Sequence, residues 1–197
     1  MLIGFDFDSV IVDTGLTMCG ILTEELKRQV TPEEIRHYTI EHNFPIEVDS
    51  KLAGKIISKT LEAQETLQCP PIDGALDFIR WYAKSHPINI ITNRRDIEPV
   101  KLYLQHSLDY NTYKKINVYG SHDKGQLCKN LGITHFVDDH IRNIIDLANH
   151  GVVPIMILRN WNRWIFTGRE NITQLIRFIS SWEDMYGIVS CERENVI

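Results

Sequence analysis

Leu2-Ile3-Gly4-Phe5-Asp6-Phe7-Asp8-Ser9-Val10 is a short apolar run that delivers two carboxylates, two residues apart. A run of this kind reads as a buried strand, and a period of two sends Asp6 and Asp8 to one face at its carboxyl end. Two like charges so close are costly unless a cation, a proton or a turn separates them. The pair therefore points to chemistry, against the plainer reading of an acidic strand end facing solvent.

Four further apolar runs follow, at 88–91, 116–119, 134–137 and 152–158, and they alternate with helix-like stretches. In 74–85, Leu76, Ile79, Tyr82 and Ala83 share one face, and Asp73 is the expected cap. Asp96 and Pro99 suit the start of the next helix, while Gly132 and Gly151 suit the stops of the following two. From about 170 to 186, the spacing of Leu175, Ile176, Ile179 and Trp182 predicts a final helix. Strands alternating with helices imply an α/β fold with a mostly parallel sheet covered on both faces. Such sheets carry their sites at the carboxyl ends of the strands.

Residues 15–70 break the alternation with three helix-like pieces and no strand. Thr31-Pro32-Glu33-Glu34 reads as a capping box with proline at the first helical position. A longer helix is expected from about 50 to 67, with Leu52, Ile56, Lys59 and Ala63 at helical spacing. Pro70-Pro71 punctuates the return to the sheet. The block is too long for a normal crossover, so it is expected to be a helical cap over the carboxyl end of the first strand. The expected organisation is a catalytic core from 1–14 and 71–197 with a cap at 15–70.

The chain of 197 residues is long enough for one sizeable core plus a small insertion. Its 43% hydrophobic and 24% charged residues are ordinary for a soluble globular protein. A net charge of −5 offers no broad attraction to nucleic-acid backbones or anionic membranes, and a small phosphorylated molecule held by local donors and a metal remains compatible with it. Cys19, Cys69, Cys128 and Cys191 show no metal-binding spacing, and free thiols in a reducing compartment are the expectation. No long apolar span or signal-like leader stands out, so a cytoplasmic protein that does not engage a membrane is expected.

The ends of the other strands supply the rest. The second run closes on Thr92-Asn93-Arg94-Arg95, and the fourth on Asp138-Asp139 with Asn143 a helical turn beyond. Lys124 begins the helix leading into that fourth run. A carboxylate nucleophile, a hydroxyl, an ammonium and further acids are the parts that phosphoryl transfer needs. Each residue also has a plainer reading: Thr92 as a strand terminus, Lys124 as a solvated helix lysine, Asn143 as a surface residue, Asp13 as part of a turn.

This constellation resembles the haloacid dehalogenase (HAD) superfamily at its four motifs, over nearly the full chain. Asp6-Phe7-Asp8-Ser9-Val10 matches the DxDx[TV] signature, Thr92 the second motif, Lys124 the third and Asp138-Asp139 the fourth. The resemblance implies a Rossmann-like sheet with the first strand between those ending in Thr92 and Asp138. It implies Asp6 as the nucleophile forming an aspartyl-phosphate, and Asp8 as the acid and then base. It further implies magnesium held by Asp6, the Asp8 carbonyl and Asp139, with Asp138 supporting the metal shell. Thr92, the Asn93 amide and Lys124 would hold phosphoryl oxygens. A signalling receiver domain uses similar residue types, but there the acidic pair precedes the acceptor and the lysine comes last, which this chain order contradicts.

Within the superfamily, 123–139 and Asn160-Trp161-Asn162-Arg163 followed by Trp182 look similar to the cytosolic 5′-deoxyribonucleotidase-type group. Asn160 stands in place of that group's proline, and Ser9 in place of a common glycine. A 5′-nucleotidase acting on nucleoside monophosphates is the expectation; a phosphatase of another small metabolite, such as a sugar phosphate, or a non-catalytic binding protein are the alternatives. In the cap, Tyr38 and Phe44, with His37 and His42 nearby, could stack on a base or form the cap's own core. Arg94 and Arg95 are candidates for a second anionic group of the substrate.

Overall fold

The computed structural model describes residues 1–163 and 176–194. The apolar runs become strands β1 (Ile3–Phe5), β2 (Ile88–Thr92), β3 (Ile116–Gly120), β4 (His135–Asp138) and β5 (Val153–Ile157), joined by β6 (Arg177–Ile179). All pair in parallel, in the order β3-β2-β1-β4-β5-β6. The two central strands flanking β1 are buried at every position, whereas edge strand β3 is half exposed. Continuous apolar runs suit a sheet buried on both faces, which parallel crossovers enforce. β1 lies between β2 and β4, as the resemblance implied, and the chain reverses its direction of sheet-building at that point. Crevices open at such reversals.

Among the described residues the α-helices are α1 (Thr14–Leu26), α2 (Ile40–Asn43), α3 (Ser50–Thr60), α4 (Ala63–Gln68), α5 (Ala75–Tyr82), α6 (Glu98–Ser107), α7 (Tyr110–Tyr113), α8 (Lys124–Leu131), α9 (Ile141–Asn149) and α10 (Glu183–Glu194). Among the described residues, no helix is long and apolar enough to cross a membrane. Under the sheet, Phe5 meets Phe78, Tyr82 and Trp182 at centroid distances of 6.1, 6.2 and 5.7 Å, and the Trp182 indole donates to the Val10 carbonyl at 2.9 Å. That aromatic cluster anchors the strand bearing the two acids.

The chain leaves and re-enters this core through neighbouring segments. Asp13 N–H donates to the Pro70 carbonyl at 2.8 Å, and Ile72 N–H to the Ile11 carbonyl at 2.9 Å. Between those points, α1 to α3 and the segments joining them form their own apolar cluster, which includes Leu22, Ile40, Phe44 and Ile56. Arg28 closes it from outside, lying 5.6 Å over Phe44 and pairing with Glu34 and Glu47 at 3.0 and 2.9 Å.

Four local expectations change. The helix after Asp73 is capped by Gly74 at φ 76°, without a side-chain cap bond; a left-handed backbone there suits glycine. Thr31-Glu34 keeps its reciprocal bond, Thr31 N–H to Glu34 Oε1 at 3.0 Å, but Pro32–Glu34 forms a single 3₁₀ turn instead of a longer helix. The helix expected over 50–67 breaks at Leu61-Glu62 into α3 and α4, because the buried stripe is Ala53, Ile56 and Thr60, and Lys59 and Ala63 fall off it. The break lets α4 pack against α6.

The last difference is at the end of the chain. The helix expected over 170–186 is instead strand β6, with a helix beginning only at Glu183. Ile176, Ile179 and Trp182 are buried as a core stripe would be, while Leu175 lies outside the described residues. Three-residue spacing of apolar groups also arises when a short strand turns into a helix, and pairing with β5 satisfies backbone groups that a helix would leave exposed on that strand. The Asp184 carboxylate accepts from the N–H groups of Ser180 and Ser181 and so sets the true helix start.

Gly125, the second residue of α8, marks a close approach to α9. A Cβ there would lie 2.7 Å from the Asp146 carbonyl and against the His150 ring. Gly125→Ala is expected to cost about 1–3 kcal/mol through overpacking, read as an earlier denaturant midpoint with unchanged slope. A midpoint equal to wild type would show that α8 and α9 can separate freely.

Candidate active site

Three strand ends converge at the carboxyl edge of the sheet. Asp6 follows β1 directly and its N–H still bonds Val137 in β4 at 2.9 Å, so its carboxylate stands beside that of Asp138, the last residue of β4. Phe7 N–H donates to Asp6 Oδ1 at 2.7 Å. The backbone then turns at Ser9, which adopts φ 58°, a left-handed conformation that explains why glycine would be at home there. The Ser9 and Thr14 hydroxyls are 2.7 Å apart, and Asp13 caps α1 by accepting from Leu16 N–H at 2.9 Å. Asp13 thus acts in the turn.

Lys124, at the first position of α8, is completely buried and reaches Asp6 Oδ2 at 2.9 Å and Asp138 Oδ2 at 2.8 Å. Burial alone would lower its pKa, but Asp138 and Asp6 outweigh that and hold it well above the usual lysine value. Asp138 is saturated: it also accepts the His140 N–H at 2.8 Å and Asn143 Nδ2 at 3.0 Å from both of its oxygens. Asn143 therefore braces the site and is not a surface residue.

Asp139 is held differently. Its Oδ2 accepts from the Trp161 indole N–H at 2.9 Å, and its carbonyl from Asn162 Nδ2 at 2.9 Å. Burial, then the neighbouring Asp138 charge, raises the Asp139 carboxyl to about 7, against the opposing Trp161 bond. Asp6 is likewise raised well above the ordinary carboxylate range, chiefly by burial, with Lys124 pulling the other way. Ligand atoms of Asp6, Asp138 and Asp139 lie within 4.8 Å of one another, all three residues buried. Three carboxylates facing one ammonium leave uncompensated negative charge, and an all-oxygen donor set of this kind fits a hard divalent cation.

Asp8 lies outside that cluster but lines the same cavity. Its two oxygens are gripped by Arg94, with Nη2 to Oδ1 at 2.6 Å and Nε to Oδ2 at 2.8 Å. Arg94, expected to be open to a second anionic group of a substrate, is buried and already paired; Arg95 is exposed and does not line the cavity. Thr92 closes β2, fully buried, its hydroxyl accepting from the Arg94 N–H at 3.2 Å, and Asn93 lines the cavity next to it.

The cavity over these groups measures about 220 Å³ and runs from Asp6, Asp8 and Asp139 up to the helical block. Met18, Ile57, Leu61, Tyr38 and Trp161 make its upper wall largely apolar. Of the aromatics singled out in the block, Tyr38 lines the cavity, its ring edge-on to His140 at 4.0 Å, whereas Phe44 is buried in the block's own core. His37 also lines the cavity; His42 sits 6.0 Å from it and lines a separate surface hollow. Burial holds the His140 imidazole below its usual pKa. Trp161 and His140 received no role in the sequence reading. The indole sits in the Asn160–Arg163 stretch, where a tryptophan beside an asparagine was the available signal.

No family model matches the chain, and no curated protein matches it. Solved structures do. A haloacid dehalogenase-like protein of unknown function from Agrobacterium tumefaciens superimposes with a TM-score of 0.67 at 15% identity, covering 98% of each chain. A predicted phosphoglycolate phosphatase from Haemophilus somnus gives 0.59 at 14% identity, covering 95% of this chain and 97% of its own. A HAD family hydrolase from Deinococcus radiodurans, solved with bound phosphate and sodium, gives 0.62 at 14% identity, covering 96% and 94%. With the six described strands parallel in this order and similarity along almost the entire length, the fold of this chain is that of the haloacid dehalogenase superfamily.

Proposed function

We propose that the protein is a magnesium-dependent phosphomonoesterase acting through an aspartyl-phosphate on Asp6, with nucleoside monophosphates as substrates. The observation that carries the reading is Lys124 held between Asp6 and Asp138 in a buried carboxylate cluster, of which Asp6 and Asp139 line the cavity. An isolated acidic strand end needs no buried ammonium, whereas a phosphoryl-transfer site uses one to stabilise charge on the transferred group.

In this reading Asp6 attacks phosphorus and the bond to the leaving oxygen breaks. Asp8, paired here as a carboxylate with Arg94, first takes a proton from solvent through its exposed side, gives that proton to the leaving oxygen, and as a carboxylate again takes one from the water that hydrolyses the acyl phosphate. Lys124 and the hydroxyl of Thr92 hold the phosphoryl oxygens as their charge grows. Asp6 and Asp139 would hold magnesium, which would neutralise phosphate charge and the repulsion between the carboxylates. Asp138 has its oxygens engaged and keeps Lys124 and the β4 terminus in place. Trp161 fixes the orientation of Asp139.

The cavity favours a leaving group that is neutral and partly aromatic. Among the described residues lining it there is no lysine, and its one arginine is paired with Asp8. A carboxylate-bearing substrate such as phosphoglycolate would lack a cationic partner there. Tyr38 and the apolar wall instead offer a base a face to stack on. Phosphate release should be measured over nucleoside monophosphates, sugar phosphates and phosphoglycolate, with magnesium and with a chelator. We expect turnover only with magnesium, and a kcat/KM for the best nucleotide at least about tenfold above the other classes, a difference of about 1.4 kcal/mol. Turnover of sugar phosphates alone would remove the substrate assignment and keep the chemistry.

A further inference from the structure

We propose that Arg94 is a positioning residue that ties the orientation of Asp8 to the placement of the helical block. The proposal rests on the phosphatase reading above, in which Asp8 moves the protons.

Every nitrogen of the Arg94 guanidinium is engaged. Nε and Nη2 each take one oxygen of Asp8, at 2.8 and 2.6 Å. Nη1 donates to Thr66 Oγ1 at 2.6 Å and to the Leu61 carbonyl at 3.4 Å. The charged plane lies 5.3 Å over the Phe7 ring. The Arg94 side chain is only 4% exposed, while that of Asp8 is 25% exposed and lines the cavity. A forked pair leaves a carboxylate one plane and one heading, which a point-like ammonium cannot impose.

The far side of the fork is what makes the arrangement more than a salt bridge. Leu61 is the C-cap of α3, in the break that the sequence pattern did not predict, and Thr66 lies within α4, which packs against α6 of the core. Thr66 is itself buried, so its hydroxyl has the guanidinium as a fixed partner. One side chain thus joins the carboxyl end of β2, the Asp8 carboxylate and the helical block. Moving the block by the length of a hydrogen bond pulls on the same group that aims Asp8. The helical block would therefore act on proton transfer through Arg94, in addition to enclosing the substrate.

Leaving-group dependence tests this. In 4-nitrophenyl phosphate the departing oxygen needs little protonation, whereas a nucleoside 5′-monophosphate expels an alkoxide that does. The comparison is kcat/KM, which reports the attack step, for wild type, Asp8→Asn, Arg94→Ala, Arg94→Lys and Thr66→Val with magnesium. Arg94→Ala is expected to lose about 10²-fold on the nucleotide and less than about tenfold on the aryl ester, reproducing the pattern of Asp8→Asn. Arg94→Lys should not restore the nucleotide rate, since it cannot fork. Thr66→Val should show the same selectivity at smaller size. Equal losses on both esters, a raised KM with unchanged kcat, or an Arg94→Lys protein indistinguishable from wild type would each overturn the role of Arg94 and leave the phosphatase reading standing. Wild type that hydrolyses neither ester overturns the phosphatase reading, and this proposal with it. Should Arg94→Ala fail to fold, the lysine and Thr66 variants decide the matter by the same readout.

Discussion

Asp6→Asn is expected to abolish phosphate release, by roughly 10⁴-fold or more in kcat, while the protein folds as well as before. An amide cannot attack phosphorus to give an acyl phosphate, and the neighbouring carboxylates are engaged: Asp138 accepts from Lys124, His140 and Asn143, Asp8 is gripped by Arg94, and Asp139 is turned by the Trp161 indole and would hold the metal. Stability should stay within about 1 kcal/mol of wild type. Asp6 already has its pKa raised, chiefly by burial, and it adds to the repulsion among three buried acids. Its replacement leaves Lys124 the Asp138 partner at 2.8 Å. Matched thermal melts and a phosphate-release assay check both halves. Substantial turnover by the asparagine variant would sink the covalent mechanism outright.

The second large effect falls on Lys124, and there the fold should suffer along with the activity. Lys124→Met removes the counter-charge of Asp6 and Asp138 at a position with no solvent access. Breaking a buried pair from one side typically costs about 3–5 kcal/mol, because the abandoned charge has no water to turn to. For a chain of this size that lowers the melting temperature by about 10 °C. Adding Asp138→Asn to the methionine variant should recover part of the loss, because it removes one of the stranded charges. Magnesium should also recover part of it, by giving the remaining carboxylates a cation. A methionine variant melting with wild type would mean that Lys124 is not what balances these acids.

These expectations depend on contacts that the sequence foreshadowed unevenly. Asp6, Thr92, Lys124 and Asp138-Asp139 were legible because each sits at an element end, where a run of apolar residues stops or a helix starts. The strands were legible for the same reason: a buried parallel strand has a local signature that needs no partner to be recognised. The helical block was harder. Its apolar stripe on α3 could be drawn through Lys59 and Ala63 or through Ala53 and Thr60, and only packing chooses between them. At the chain end, a three-residue spacing was shared by a helix and by a strand turning into one.

The sequence by itself determined the alternation of strands and helices, the inserted helical block and the acids at the ends of β1 and β4, since these follow from which residues are neighbours in the chain. Only the tertiary structure decided who pairs with whom. Arg94 looked available to a substrate until Asp8, 86 positions away, took both arms of its fork. Trp161 had no partner in view until the turn after β5 brought its indole to Asp139. The physical reason is one of range. A strand or cap is selected by groups a few residues apart, whereas a buried charge is settled by whichever groups the finished fold sets within about 3 Å of it, and burial penalises every alternative.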